Sequence, residues 1–208
     1  MKNIVFLFTF SMLLANCKIA PKKENTIGLT TQKAMVVSAR IEASSIGTAI
    51  LKKGGNAFDA MMATELALAV AYPYAGNIGG GGFMVYRKSN GEIGALDYRE
   101  KAPLAATKNM YLDAKENVIK GKSTLGAMAV GVPGTIAGVF ATHKKFGTLS
   151  IEEILKPVIE LAKRGVIVTK KQEKRIKYFQ PLFLKANKDS IIFSEEWQEN
   201  DTITYPAL

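Results

Sequence analysis

Cysteine, histidine and tryptophan are nearly absent, one of each in 208 residues. With Cys17 alone, no intrachain disulfide can form, and no run of His, Cys and carboxylates has the spacing of a metal site. The single histidine, His143, stands beside Lys144 and Lys145 on an exposed-looking helix turn without a serine or cysteine nucleophile in its context. It reads as a surface or structural residue rather than a general base. No serine sits in a Gly-x-Ser-x-Gly elbow, no Gly-x-x-x-x-Gly-Lys-Ser/Thr loop is present, and no internal repeat shows. Acidic residues are also in deficit: 18 Asp+Glu against 28 Lys+Arg give a formal net charge of +10. Nucleic-acid binding has to be weighed on that ground. Against it, the sequence has no zinc spacing, no aromatic-basic interleaving and no basic heptad helix. Much of the surplus falls around Lys170, Lys171, Lys174, Arg175 and Lys177, on one amphipathic helix that reads as a solvated or partner-facing surface. No nucleic acid, metal or cofactor is expected.

What is present is enough for one sizeable core, at 48% hydrophobic and 22% charged residues. The first 17 residues read as a targeting segment: Lys2 is the positive start, Ile4 to Leu14 an apolar stretch too short for a stable span, and Ala15 a small residue near the expected cut. Leu14-Ala15-Asn16-Cys17 resembles a bacterial lipobox, which implies a lipidated Cys17 as the new first residue and a membrane-anchored, extracytoplasmic protein. Asn16 departs from the usual Gly, Ala or Ser, which leaves ordinary signal cleavage as the alternative. Residues 18–34 read as a polar tether.

From Met35 the pattern mixes short apolar runs with helices, which argues for an α/β or α+β layered domain. Met35–Ala39 reads as a short buried strand. A helix is expected from about Ser44 or Ser45, stopped at Gly54-Gly55 after Lys52-Lys53. Asn56 with Asp59 predicts a capped second helix to about Ala71, where Ala60, Ala63, Ala67 and Ala71 make a small-residue face that belongs in the interior. Beyond it, Gly126–Thr135 reads as strand-like, a helix is expected over Thr135–Lys145, and capping boxes at Ser150/Glu153 and Thr169/Gln172 start two more helices, the first kinked at Pro157.

The stretch Asn77 to Arg99 organises the rest. Four glycines, Gly79 to Gly82, lead into Phe83-Met84-Val85-Tyr86. The chain turns at Lys88-Ser89-Asn90-Gly91 and returns through Ile93 to Tyr98. Asn-Gly between apolar runs predicts a hairpin with a type I′ turn, in which both central residues take positive φ. Four glycines before a strand mean that something approaches the backbone closely, or that angles forbidden to a Cβ are needed. Asp97, Arg99 and Glu100 place charge beside this backbone. A guanidinium there suits bidentate binding of a carboxylate, while an ion pair of Arg99 with Asp97 or Glu100 at a strand end is the simpler alternative.

Several motifs in order then resemble those of the gamma-glutamyltranspeptidases. They are Gly54-Gly55-Asn56-Ala57-Phe58-Asp59-Ala60, Gly76-Asn77-Ile78 with the four glycines and Phe83, Leu96-Asp97-Tyr98-Arg99-Glu100-Lys101-Ala102-Pro103, and Val130-Gly131-Val132-Pro133-Gly134-Thr135. The helix Leu155–Ala162 resembles the one that follows them in the family. The resemblance implies an N-terminal nucleophile hydrolase, an αββα sandwich built from a self-cleaving precursor. It also implies a small-subunit threonine that attacks γ-glutamyl amides such as that of glutathione through an acyl-enzyme. Arg99 matches the family arginine that binds the α-carboxylate of the γ-glutamyl group. Residues 35–208 are identified as an incomplete large-subunit region, so no catalytic residue is assigned in this chain, and Thr124, Thr135, Thr148 and Thr169 are not nucleophiles. The chain alone is expected to be inactive, the remainder of the large subunit and the small subunit being its partners. A non-catalytic surface lipoprotein that keeps the scaffold as a binding module is the alternative. For the anchor, mass spectrometry of the mature protein is expected to find an acylated Cys17 at its start; an unmodified or missing Cys17 means ordinary signal cleavage.

Overall fold

The computed structural model describes residues 28–76 and 78–208. The expected signal segment, Cys17 and the first part of the tether lie outside the described residues, as does Asn77. Residues 28–34 and 35–208 belong to separate units; within the first, the Thr31 hydroxyl donates to the Ala34 carbonyl at 3.0 Å.

The larger unit is a mixed α/β structure. Helices α1 (Ile41–Lys52), α2 (Ala57–Ala71), α3 (Thr135–Phe146), α4 (Ile151–Arg164) and α5 (Lys170–Ala186) accompany two small antiparallel sheets, β1 (Phe83–Arg87) with β2 (Ile93–Asp97) and β3 (Val166–Ile167) with β4 (Thr202–Ile203). Helix α2 is apolar almost all round, so it has no face to give to water and becomes the centre of the core. Its Ala60, Met62, Ala63, Leu66, Ala67 and Val70 pack among Ile46 and Ile50 of α1, Val139 of α3, and Ile154, Val158 and Leu161 of α4. The small alanine face lets these helices approach closely.

Local chemistry sets the ends of the helices. Helix α1 closes in a Schellman arrangement: the Gly55 N–H donates to the Ile50 carbonyl at 3.0 Å and the Gly54 N–H to that of Leu51 at 3.1 Å, with Gly54 at φ +103°. Helix α2 opens with the expected Asn56 cap, which the structure completes as a capping box: Asn56 Oδ1 accepts from the N–H groups of Phe58 and Asp59, and the Asp59 carboxylate accepts from that of Asn56. Asp59, fully buried, also accepts from the Thr148 N–H at 3.1 Å and from the Thr148 hydroxyl. Asn56 Nδ2 donates to the Phe146 carbonyl at 2.7 Å. One capping box therefore ties the start of α2 to the turn between α3 and α4. The expected boxes at Ser150/Glu153 and Thr169/Gln172 are present, and α4 and α5 run on through Pro157 and Pro181.

Four local expectations are corrected. Met35–Ala39 is not a strand: among the described residues its backbone pairs with no other segment, and Val37 is exposed. Helix α1 begins at Ile41, three residues before Ser44. Its start is fixed by the Ser38 hydroxyl donating to the Arg40 carbonyl at 2.8 Å and by the Arg40–Glu42 ion pair at 2.6 Å, and not by a serine cap. The strand-like run before α3 forms a 3₁₀ turn, Ala127–Ala129, and one bridge, Val132 to Lys101, because Lys101 is its single ladder partner. The hairpin has the expected strands but not a type I′ turn. Only Gly91 of the Asn-Gly pair has positive φ, +87°, and the Gly91 N–H to Lys88 carbonyl and Lys88 N–H to Glu92 carbonyl bonds close a three-residue loop with a bulge at Gly91.

Tyr86 docks the hairpin onto the helices, its ring centroid 5.5 Å from that of Phe58 and 4.9 Å from that of Phe146, while Phe58 and Phe146 stack at 4.2 Å. Met84 is buried against the Thr142 hydroxyl of α3. Replacement Asp59→Ala strands three part-buried donors and is expected to lower the unfolding free energy of the intact protein by roughly 2 kcal/mol. Asp59→Asn should recover little of it, because the amide turns a donor toward donors; urea denaturation of both variants checks this.

Candidate functional site

The close approach expected at the four glycines is made by the chain's own backbone. A Cβ on Gly81 would lie 2.7 Å from Arg99 Cα, the Glu100 nitrogen and the Tyr98 carbonyl oxygen. Gly134, just ahead of α3, meets the same stretch from the other side, where a Cβ would fall 1.9 Å from the Tyr98 carbonyl oxygen. Hydrogen bonds lock the three segments together. The Tyr98 N–H donates to the Gly82 carbonyl at 3.0 Å, the Gly80 carbonyl accepts from the N–H groups of Gly134 at 2.8 Å and Thr135 at 3.1 Å, and Lys101 and Val132 exchange a pair of backbone bonds. The exposed donors of the α3 N-terminus are thereby used on the glycine loop.

Within this clamp the side chains of the Asp97 to Glu100 stretch diverge. Asp97 turns back on its own backbone, Oδ1 accepting from the Arg99 N–H at 2.9 Å. Tyr98 points inward, its ring seated where a Cβ on Gly138 would stand 2.3 Å from the ring carbon Cγ, and its hydroxyl lies 3.1 Å from each carboxylate oxygen of Glu65 in the middle of α2. Burial pushes the Glu65 carboxyl above its ordinary value, against the hydrogen bond from Tyr98 that favours the charged form. The Tyr98 phenol is pushed up to about 12, first by burial and then by the neighbouring carboxylate.

Arg99 points outward. Its side chain is 64% exposed, Nε is 4.0 Å from Glu100 Oε2, at the outer limit of an ion pair, and the guanidinium carbon lies 5.6 Å from the Phe83 ring centroid. It is sealed against neither Asp97 nor Glu100. An apolar cavity of about 380 Å³ lies elsewhere, walled by Tyr74, Ile176, Phe179, Phe183, Phe193 and Tyr205. The sequence signals brought together are therefore the glycine loop, the Asp97 to Glu100 stretch and the run from Gly131 to Gly134.

Other candidates serve the fold. His143 Nε2 donates to the Leu149 carbonyl at 2.8 Å and holds the turn after α3. The Thr148 hydroxyl is bound to Asp59, that of Thr169 to Gln172 Oε1 at 3.1 Å, and that of Thr124 to the Gly121 carbonyl at 3.2 Å. Among the described residues no three of His, Cys, Asp and Glu gather as metal ligands. Glu65 was not legible as part of the site, although a carboxylate in the middle of so apolar a helix was a signal that could have pointed to it.

Comparison with known proteins places this geometry. The sequence model of the family described as Gamma-glutamyltranspeptidase matches residues 43–208. A curated glutathione hydrolase proenzyme of Pseudomonas sp. (strain A14) is 53% identical over 137 residues, which cover 66% of this chain and 24% of that protein. The crystal structure of Helicobacter pylori gamma-glutamyltranspeptidase superposes with a TM-score of 0.80 at 43% identity, over 86% of this chain and 52% of that one. The Pseudomonas nitroreducens gamma-glutamyltranspeptidase complexed with L-DON gives 0.79 at 41% identity, over 85% and 52%. These 208 residues thus span about half of the solved relatives and about a quarter of the curated one, and their mixed α/β arrangement is consistent with the N-terminal nucleophile hydrolase fold. The chain belongs to the gamma-glutamyltranspeptidase family.

Proposed function

We propose that the intact protein transfers or hydrolyses γ-glutamyl groups, and that this chain supplies the cation that holds the donor's α-carboxylate. The observation that supports the reading is the state of Arg99: a backbone pinned on both sides by glycines, with a guanidinium that is mostly exposed and only loosely opposed by Glu100. Two parallel N–H donors of a guanidinium match the two oxygens of a carboxylate, which orients the glutamyl group as well as holding it. The donors are γ-glutamyl compounds such as glutathione.

The attacking group is a threonine hydroxyl on a small subunit, in sequence outside these 208 residues, with its own amine as the base. Its oxygen adds to the γ-amide carbonyl, an ester forms, the C–N bond breaks and the amine leaves with the proton. Water then releases glutamate, or an amino acid or peptide takes the γ-glutamyl group. The remainder of the large subunit and the small subunit are the partners that complete the site. The protein works outside the cytoplasm, anchored through a lipid on Cys17.

Replacement Arg99→Lys puts a point charge where a two-pronged donor stood. Loss of one charge-assisted bond, about 1.5 kcal/mol, is expected to raise KM for the γ-glutamyl donor roughly tenfold. Steady-state kinetics of the intact protein checks it, and an unchanged KM removes Arg99 from the assignment.

A further inference from the structure

Among the described residues Arg99 has no strong partner of its own, so the position of its guanidinium depends on the backbone that carries it, and on its N-terminal side that backbone is held through Tyr98. Tyr98 is fixed at three points. Its N–H bonds the Gly82 carbonyl, its ring fills the space left by Gly138 on α3, and its hydroxyl meets both carboxylate oxygens of Glu65 on α2. The first two contacts are made by backbone and by an absent side chain. The third alone is a directed bond between two side chains, and it joins the arginine's neighbour to the most deeply embedded helix of the fold. Glu65 is costly in that place, since burial opposes its charge, and among the described residues Tyr98 is the side chain that bonds it.

From this we infer that Glu65 and Tyr98 are positioning residues for donor binding, a half-buried carboxylate–phenol strut that sets where the Arg99 guanidinium stands. The inference rests on the reading of Arg99 as the carboxylate anchor. The strut touches no substrate; it acts by fixing Arg99 Cα against Gly81, so that the donor's carboxylate meets the fork at the right angle. A group that only adds stability would act on folding and leave substrate affinity alone.

The two roles separate in kinetics of the intact protein with a γ-glutamyl donor, read beside thermal melting. Tyr98→Phe and Glu65→Leu are each expected to raise KM at least fivefold with kcat within twofold of the parent. Glu65→Gln, whose amide oxygen still accepts from the phenol, should stay within twofold in KM. The double replacement Glu65→Leu with Tyr98→Phe removes the unpaired group left by either single change, so it should regain melting temperature while KM stays high. If KM follows the melting temperature back to the parent value, or if Tyr98→Phe melts lower with unchanged KM, the strut is structural only and the inference fails. Arg99→Lys is measured in the same series. An unchanged KM there overturns the anchor reading itself, whereas a raised KM for Arg99→Lys beside a normal one for Tyr98→Phe overturns the strut alone.

Discussion

The rest of this structure depends on how closely three backbones meet around Tyr98. Where Gly134 approaches the Tyr98 carbonyl oxygen and Gly81 approaches Arg99 Cα, any side chain would overlap main-chain atoms that cannot move aside. Flexible side chains give way under such crowding, but paired backbones do not. The end of β2, the glycine loop and the start of α3 are therefore one unit, and the hydrogen bonds from Gly134 and Thr135 to the Gly80 carbonyl close it. A helix N-terminus commonly serves an anion; here it serves a carbonyl, which spends its donors on holding the loop.

Around that unit the fold distributes its charges by partner. Asp59 is buried and compensated by three donors, so its carboxylate joins elements instead of straining them. Glu65 is half-buried with one phenol for company and sits above its ordinary carboxylate range in consequence. Arg99 is left outside with an acid at 4.0 Å. The order from fully satisfied to nearly free runs outward from the core, as expected when desolvation penalises every charge that lacks a partner.

Much of the fold was legible because its signals are local. The capping boxes at Asn56, Ser150 and Thr169, the stop at Gly54 and the alanine face of α2 each act within a few residues of where they are written. Expectations that needed a neighbour from elsewhere fared worse. Met35–Ala39 has strand composition, but a strand exists only where another segment takes its hydrogen bonds. The turn at Asn90-Gly91 took one positive φ instead of two, since the five-residue connection between Arg87 and Ile93 leaves room for a bulge. The glycines announced a close approach without saying what would make it.

The sequence by itself determined where α2, α4 and α5 begin and where α1 stops, that α2 is interior, and that Arg99 stands in a motif of the gamma-glutamyltranspeptidases. Local hydrogen-bonding competition and residue volume settle such matters within one or two turns of chain. Only the tertiary structure decided that the glycines grip Tyr98 and Arg99 between them, that Arg99 faces outward while Asp97 folds back, and that Glu65 meets a phenol 33 residues away. Those facts depend on how distant segments are brought into register, and register is fixed by packing against the whole core, which no short stretch of sequence carries.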